Sequence, residues 1–374
     1  MEEIENQIKQ LNEKVKELKE SLLKGETKEK EKEKEKENKE TKEKIIKNLV
    51  FSGGSSKGFS YMGVLKALDE FSILDNIQEL AGTSIGALFC CFVALKYHPD
   101  DLIKIFIELD LNWLHNINSD SILNLINKYG LDNGDNIIKF LELIFSFKFL
   151  NKAPSSITFI DLYNFNPIKI TLTGSRVYQD VVELELYNHL LTPQMSVIKA
   201  LRISMSIPPL FTPINEDKYH LIDGGVVNNY PIDLFKDQRE TTLGILAYET
   251  LENKKCNNAI DIYKSLVIHM IRRETQIKKE KYADNTITIE VGLNLFKIFN
   301  LTNEEKLNVI NIGYQLTKQY LNIKGFKSKP KEEKDNSKFL KINMTEFIDS
   351  MKHFLEKHFL EKHFLEKSVS KNTF

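Results

Sequence analysis

Ile45-Ile46-Lys47-Asn48-Leu49-Val50-Phe51-Ser52-Gly53-Gly54-Ser55-Ser56-Lys57-Gly58 decides the fold of this chain. Its apolar first half reads as a buried strand and its glycine-bracketed second half as a tight turn, with a helix following from about Ser60 to Leu68. The same pattern then repeats. Ile77 to Ala81 reads as a short strand, Gly82-Thr83-Ser84-Ile85-Gly86 as a turn, and Ile85 to Leu95 as a very apolar helix. Further on, Leu102–Leu114 and Ile122–Asn127 look helical, Ile168–Gly174 looks like a strand, and Ser196–Ser206 looks like a helix stopped by Pro208-Pro209. Alternation of this kind predicts an α/β sheet with helices on both faces.

The turns carry the chemistry. Gly82-Thr83-Ser84-Ile85-Gly86 alone is a weak signal, but a strand before it and an apolar helix after it are the context in which a serine on a strained elbow exposes its hydroxyl. The loop Gly53–Gly58 is no Walker A, because Phe59 follows Gly58 and Lys57 precedes it. A dinucleotide fingerprint needs a glycine where Ser55 stands. What the loop offers is a row of backbone N–H donors, at Gly53, Gly54 and Ser55, for an oxyanion. Asp223-Gly224-Gly225 adds a second tight turn, with a carboxylate to take a proton. Together the three turns read as an acyl hydrolase: Ser84 attacks an ester carbonyl, Asp223 accepts its proton, and water releases the acyl group. An aspartate with an ordinary pKa of about 4 is a weak base at neutral pH, so the reading requires that Asp223 be buried.

These residues resemble the patatin-like phospholipase family, in which G-G-G-x-[RK]-G supplies an oxyanion hole, G-x-S-x-G the nucleophile and D-G-[GA] the aspartate of a Ser–Asp dyad. Gly53, Gly54, Lys57 and Gly58 match the first motif, Gly82, Ser84 and Gly86 the second, and Asp223, Gly224 and Gly225 the third. The likeness extends through Gly63-Val64-Leu65, Arg202 to Pro208, Leu210-Phe211 and Asn228-Asn229-Tyr230-Pro231, and spans roughly residues 45–235. Ser55 departs from it by replacing the third glycine. The resemblance implies a three-layer α/β/α sandwich with a mostly parallel central sheet. It implies catalysis by Ser84 and Asp223 without metal or cofactor, and a phospholipid or lysophospholipid substrate met in transient contact with a membrane surface.

Composition narrows the alternatives. The 374 residues carry a net charge of −1, with 52 basic against 53 acidic side chains, so no global field selects nucleic acid. Three cysteines, two of them adjacent, and the absence of an apolar leader fit a cytoplasmic protein. Ile4, Ile8, Leu11, Val15, Leu18 and Leu22 form a heptad seam and predict a coiled coil capable of homodimerising the chain through residues 1–22. The Lys/Glu run from Gly25 to Lys44 reads as a solvated linker, so residues 1–43 form a tail, 44–326 the folded domain and 327–374 a second charged tail. That second tail repeats Lys-His-Phe-Leu-Glu three times, with histidines too far apart to share a helix face as metal ligands. Two readings stay open for the aromatic run Phe140 to Leu150, core packing or a lipid-facing flap. His269 is the candidate third member if the site were instead a Ser-His-Asp triad, though its apparent helix suggests a packed residue. A third possibility is an inactive lipid-binding scaffold, if Ser55 spoils the loop.

Overall fold

Leu49 and Phe51 project to one face of their strand and Val50 to the other, and all three are fully buried. Such a strand needs cover on both sides, which is the condition for a parallel sheet between two helical layers. A computed structural model describes residues 45–117, 121–248, 255–291, 301–328, 339, 343 and 345–353. The predicted coiled coil, the Lys/Glu linker and the second and third Lys-His-Phe-Leu-Glu repeats lie outside the described residues.

Eight strands among the described residues form one sheet: β1 (Asn48–Phe51), β2 (Glu79–Gly82), β3 (Lys169–Val177), β4 (Val182–Tyr187), β5 (Ile214–Asn215), β6 (His220–Asp223), β7 (Thr242–Tyr248) and β8 (Thr286–Glu290). Their order is β5-β6-β3-β2-β1-β7-β8, with β4 paired to β3. From β3 through β2, β1 and β7 to β8 the pairings are parallel, whereas β4, β5 and β6 are antiparallel additions. The helices are α1 (Phe59–Glu70), α2 (Ile85–Ala94), α3 (Pro99–Glu108), α4 (Ser121–Lys128), α5 (Asp135–Ser146), α6 (Phe159–Phe165), α7 (Val197–Ser204), α8 (Gly225–Asn228), α9 (Ala259–Lys281) and α10 (Asn303–Ile323).

The larger core joins Leu49, Phe51, Leu80, Leu172 and Ile245 to the apolar faces of α1, α2 and α10. On the opposite face Val50, Ala81 and Leu246 pack under Tyr230, Ile232 and Phe235 at the head of the 3-10 run Pro231–Thr241, and under Tyr282. The molecule is thus the expected three-layer α/β/α sandwich. One helix is shorter than its sequence suggested. The helix expected over Leu102–Leu114 stops at Glu108, where Lys306 reaches across to donate to the Phe106 and Leu109 carbonyls, and Asp110 caps a separate 3-10 turn, Leu111–Leu114, by accepting from the Asn112 N–H at 3.0 Å.

The aromatic run of α5 resolves as core packing: Phe140, Ile144 and Phe145 are buried, and only Leu150 beyond them stands out, at 84% exposure. The body also reaches further than residue 326. Residues 345–350 are helical, Phe347 and Met351 are buried, and the Phe347 ring lies 4.6 Å from that of Phe147. Cys90, Cys91 and Cys256 are all free thiols. No helix among the described residues is long and apolar enough to cross a membrane.

Candidate active site

Strand register alone brings the two key turns together. β4 occupies one edge of β3 from Leu172 to Val177, so β2 and β6 share the other edge. β2 runs along it as far as Gly82 opposite Leu172, and β6 comes the opposite way as far as Asp223 opposite Gly174. Their C-terminal ends therefore meet across a gap of one residue, two steps or ~7 Å of strand. Thr173 fills that gap and bonds the Thr83 hydroxyl at 2.7 Å, while Thr83 in turn donates to the Asn228 carbonyl at 2.9 Å. Gly224 lies against Thr173, where an added Cβ would stand 2.2 Å from its hydroxyl oxygen.

Ser84 sits at φ 55°, ψ −124°, between β2 and α2. For a residue with a side chain that is a strained conformation, costing on the order of 1–3 kcal/mol, and it persists only where the surroundings enforce it. Two constraints do so here. The Ser84 N–H donates to the Ser204 hydroxyl at 2.9 Å, and α2 approaches the end of β1 so closely that a Cβ on Gly86 would lie 2.4 Å from the Phe51 carbonyl oxygen. Gly82 faces Gly86 across the turn, with 2.5 Å from its added Cβ to the Gly86 oxygen.

Asp223 is held on every side. Its N–H donates to the Ser206 carbonyl at 3.1 Å, its carbonyl accepts from the Ser175 hydroxyl at 2.9 Å, and its Oδ1 accepts from the Gly225 N–H at 2.7 Å. The Ser84 side chain lines one cleft with this carboxyl group and favours its charged form. Only 2% of the residue is exposed. Burial raises its pKa to about 7, against the opposing pull of the Gly225 N–H and the Ser84 hydroxyl. The burial demanded by the chemistry is therefore present.

Arg202 explains how Ser206 is fixed. Its buried guanidinium donates to the Ser206 hydroxyl, to the Asn133 carbonyl at 2.8 Å and to the Thr212 carbonyl at 3.0 Å. Burial lowers its pKa to about 10, opposed by Asp132 and Asp135. Ser204 and Ser206, quoted in the sequence only as part of a likeness, thus hold one turn each.

The glycine loop differs in one respect from its sequence reading. Gly53 donates its N–H to the Asn229 carbonyl at 2.9 Å, so it is not a spare oxyanion donor; what makes it glycine is contact, since an added Cβ would lie 2.2 Å from Asn229 Oδ1. Lys57 is buried, 2% exposed. Gly58 packs against the Ile85 side chain, 2.4 Å from an added Cβ, which docks the loop onto the elbow helix. Ser55 adopts φ 52°, a left-handed turn that favours glycine, so the loop keeps this conformation despite the side chain.

Gly54, Ser55, Lys57, Ser84 and Asp223 line one cleft of about 600 Å³, counted to its open mouth. Ile207 and Tyr248 add walls, and Ile271, Arg272 and Thr275 of α9 complete it. No sequence signal pointed to these α9 residues, which lie far from every motif. Among the described residues no histidine lines the cleft, and His269 is exposed on α9 rather than packed.

A helix-flanked, mostly parallel sheet that holds a strained serine between strand and helix against a buried aspartate defines an α/β protein of the strand–elbow–helix class. Within that class, residues 49–236 match the family model described as patatin-like phospholipase, and the chain belongs to that family. It is 31% identical over 298 residues to the uncharacterized protein R571 of Acanthamoeba polyphaga mimivirus, covering 76% of this chain and 96% of that protein. It is 28% identical over 237 residues to the probable lipid hydrolase 463L of Invertebrate iridescent virus 6, covering 62% and 79% of the two chains. The crystal structure of VipD from Legionella pneumophila shares the fold, with a TM-score of 0.50 at 21% identity over 75% of this chain and 67% of that one.

Proposed function

We propose that this protein hydrolyses ester-linked fatty acids of phospholipids or lysophospholipids through a Ser84–Asp223 dyad. The observation that carries the reading is that Ser84, strained on its elbow, and Asp223, buried and with its pKa raised by that burial to about 7, line the same cleft. A base is most effective when its pKa lies near the working pH.

In the first half-reaction the Ser84 oxygen bonds to the ester carbonyl carbon and its proton passes to Asp223. The amides of Gly54 and Ser55, at the start of the 3-10 turn Ser55–Gly58, stabilise the oxyanion. The tetrahedral intermediate then expels the alcohol, which takes the proton back from Asp223 and leaves an acyl-Ser84. In the second, water attacks the acyl carbon as Asp223 accepts its proton, and collapse releases the fatty acid and returns the proton to Ser84. The name of the iridescent-virus relative, a probable lipid hydrolase, supports the substrate class.

A fluorophosphonate probe tests the nucleophile. Wild type is expected to label and Ser84→Ala to remain unlabelled, while fatty-acid release from phospholipid without calcium falls by about 10³-fold or more in Ser84→Ala and in Asp223→Asn. Undiminished release by either variant would end the reading.

A further inference from the structure

α9 has two faces, and the cleft uses only one. Ile271, Arg272 and Thr275 look into the cleft. At 3.6 residues per turn, Ile262, Tyr263, Leu266, Met270 and Ile277 fall within an arc of ~100° on the other side of the helix. Each of them is 49% to 62% exposed. An apolar stripe of that width is what a helix of a globular protein normally buries.

Among the described residues, the second half of α9 is bonded to the sheet and its turns, Arg272 and Gln276 to Tyr248, Thr275 to Asn229, and Lys278 to Asn228 and Asp233, whereas the first half bonds Cys256 and Asn257 directly before the helix. The first half of the helix carries Ile262, Tyr263, Leu266 and Met270 of the stripe, and all four are exposed.

We propose that this stripe is the surface by which the protein seats itself on an anionic lipid bilayer, with α9 lying in the interface as the wall between membrane and cleft. The inference rests on the lipid hydrolase reading above. Charge is the first argument for this occupant. α9 carries six Lys or Arg against three Asp or Glu, in a chain whose net charge is −1, so the positive excess is local to the helix. Arg273 is the second. It falls inside the apolar arc between Ile262 and Leu266, and it is exposed. Against a second protein helix it would be a buried charge in need of a partner, whereas at a bilayer its long stem follows the apolar residues while the guanidinium reaches the phosphates. The third argument is position. The stripe and the cleft wall are opposite sides of one helix about 10 Å across, so a bilayer on the stripe brings substrate within reach of the mouth.

The test uses the full chain carrying Ser84→Ala, so that vesicles stay intact, and measures co-sedimentation with phosphatidylcholine vesicles containing about a third phosphatidylserine. Adding Leu266→Ser and Met270→Ser is expected to weaken partitioning by about tenfold or more, because each withdraws an apolar side chain from the interface. With Ser84 restored, the same pair of substitutions should lower hydrolysis of vesicle phospholipid in parallel but leave turnover of soluble p-nitrophenyl butyrate and the thermal midpoint unchanged. Undiminished partitioning would overturn the proposal. So would light scattering that shows a dimer without vesicles, broken by the two serines, because the stripe would then belong to a second copy. If p-nitrophenyl butyrate is not turned over at all, the dyad has failed, and the partitioning result still judges the surface by itself.

Discussion

At the scale of single residues, Asp223 ties activity to instability. Its pKa is raised by burial from 3.8 to about 7. A group raised on folding contributes stability that is complete below its unfolded pKa and lost as pH climbs through the folded value. Asp223 therefore favours the folded state below about pH 4, and this contribution drains away between about pH 4 and pH 7. The loss is on the order of 4 kcal/mol. Asp223→Asn keeps the acceptor for the Gly225 N–H and removes the charge, so urea unfolding should find the variant more stable than wild type at pH 8 and equal to it below pH 4. Hydrolysis by wild type should rise with pH through about 7, as the carboxylate form appears. Ser55 gives a second residue-scale prediction. Ser55→Gly relaxes a left-handed turn and should retain probe labelling. Ser55→Val puts a β-branched side chain at φ 52°, and should cost about 1–3 kcal/mol in thermal unfolding together with a loss of labelling.

At the scale of elements, the site is a junction of strand ends held by hydroxyls. Thr83 and Thr173 bond each other in the gap between β2 and β6, and both are fully buried. Thr83→Val leaves the Asn228 carbonyl without that donor, and should cost about 1–3 kcal/mol by urea unfolding while slowing labelling of Ser84. Gly86→Ala should be worse than its one added methyl suggests, since the new carbon meets the Phe51 and Ser52 carbonyl oxygens at 2.4 and 2.6 Å and α2 must retreat from β1. Proteolytic sensitivity of the elbow would report that shift. The elements themselves were largely legible in the sequence, because Leu49 to Phe51 and Ile77 to Ala81 are short apolar runs closed by glycine turns. The end of α3 was not, because a lysine at position 306 takes up its last carbonyls, and no local pattern announces a partner so distant in sequence.

At the scale of the whole molecule, the segment that names the family is not the segment that folds. The family match ends at residue 236, yet β7 is the neighbour of β1 and α10 packs on α1. An added Cβ on Gly63 would stand 1.9 Å from the Ile310 carbonyl oxygen, and one on Gly313 would stand 2.1 Å from that of Ser60, so the two helices touch backbone to backbone. A truncation ending at residue 236 should therefore fail to give a cooperative unfolding transition, and Gly313→Val in the full chain should lower the thermal midpoint by several degrees or more. Taken alone, the sequence determined the layer architecture, the two elbows and the residues standing on them, since periodicity and turn chemistry are written locally. Tertiary structure alone decided that Gly53 is spent on Asn229, that Arg202 and two serines set the turns, and that α9 walls the cleft. These facts depend on which strand shares an edge of β3 with which, and long-range register leaves no local mark on a chain.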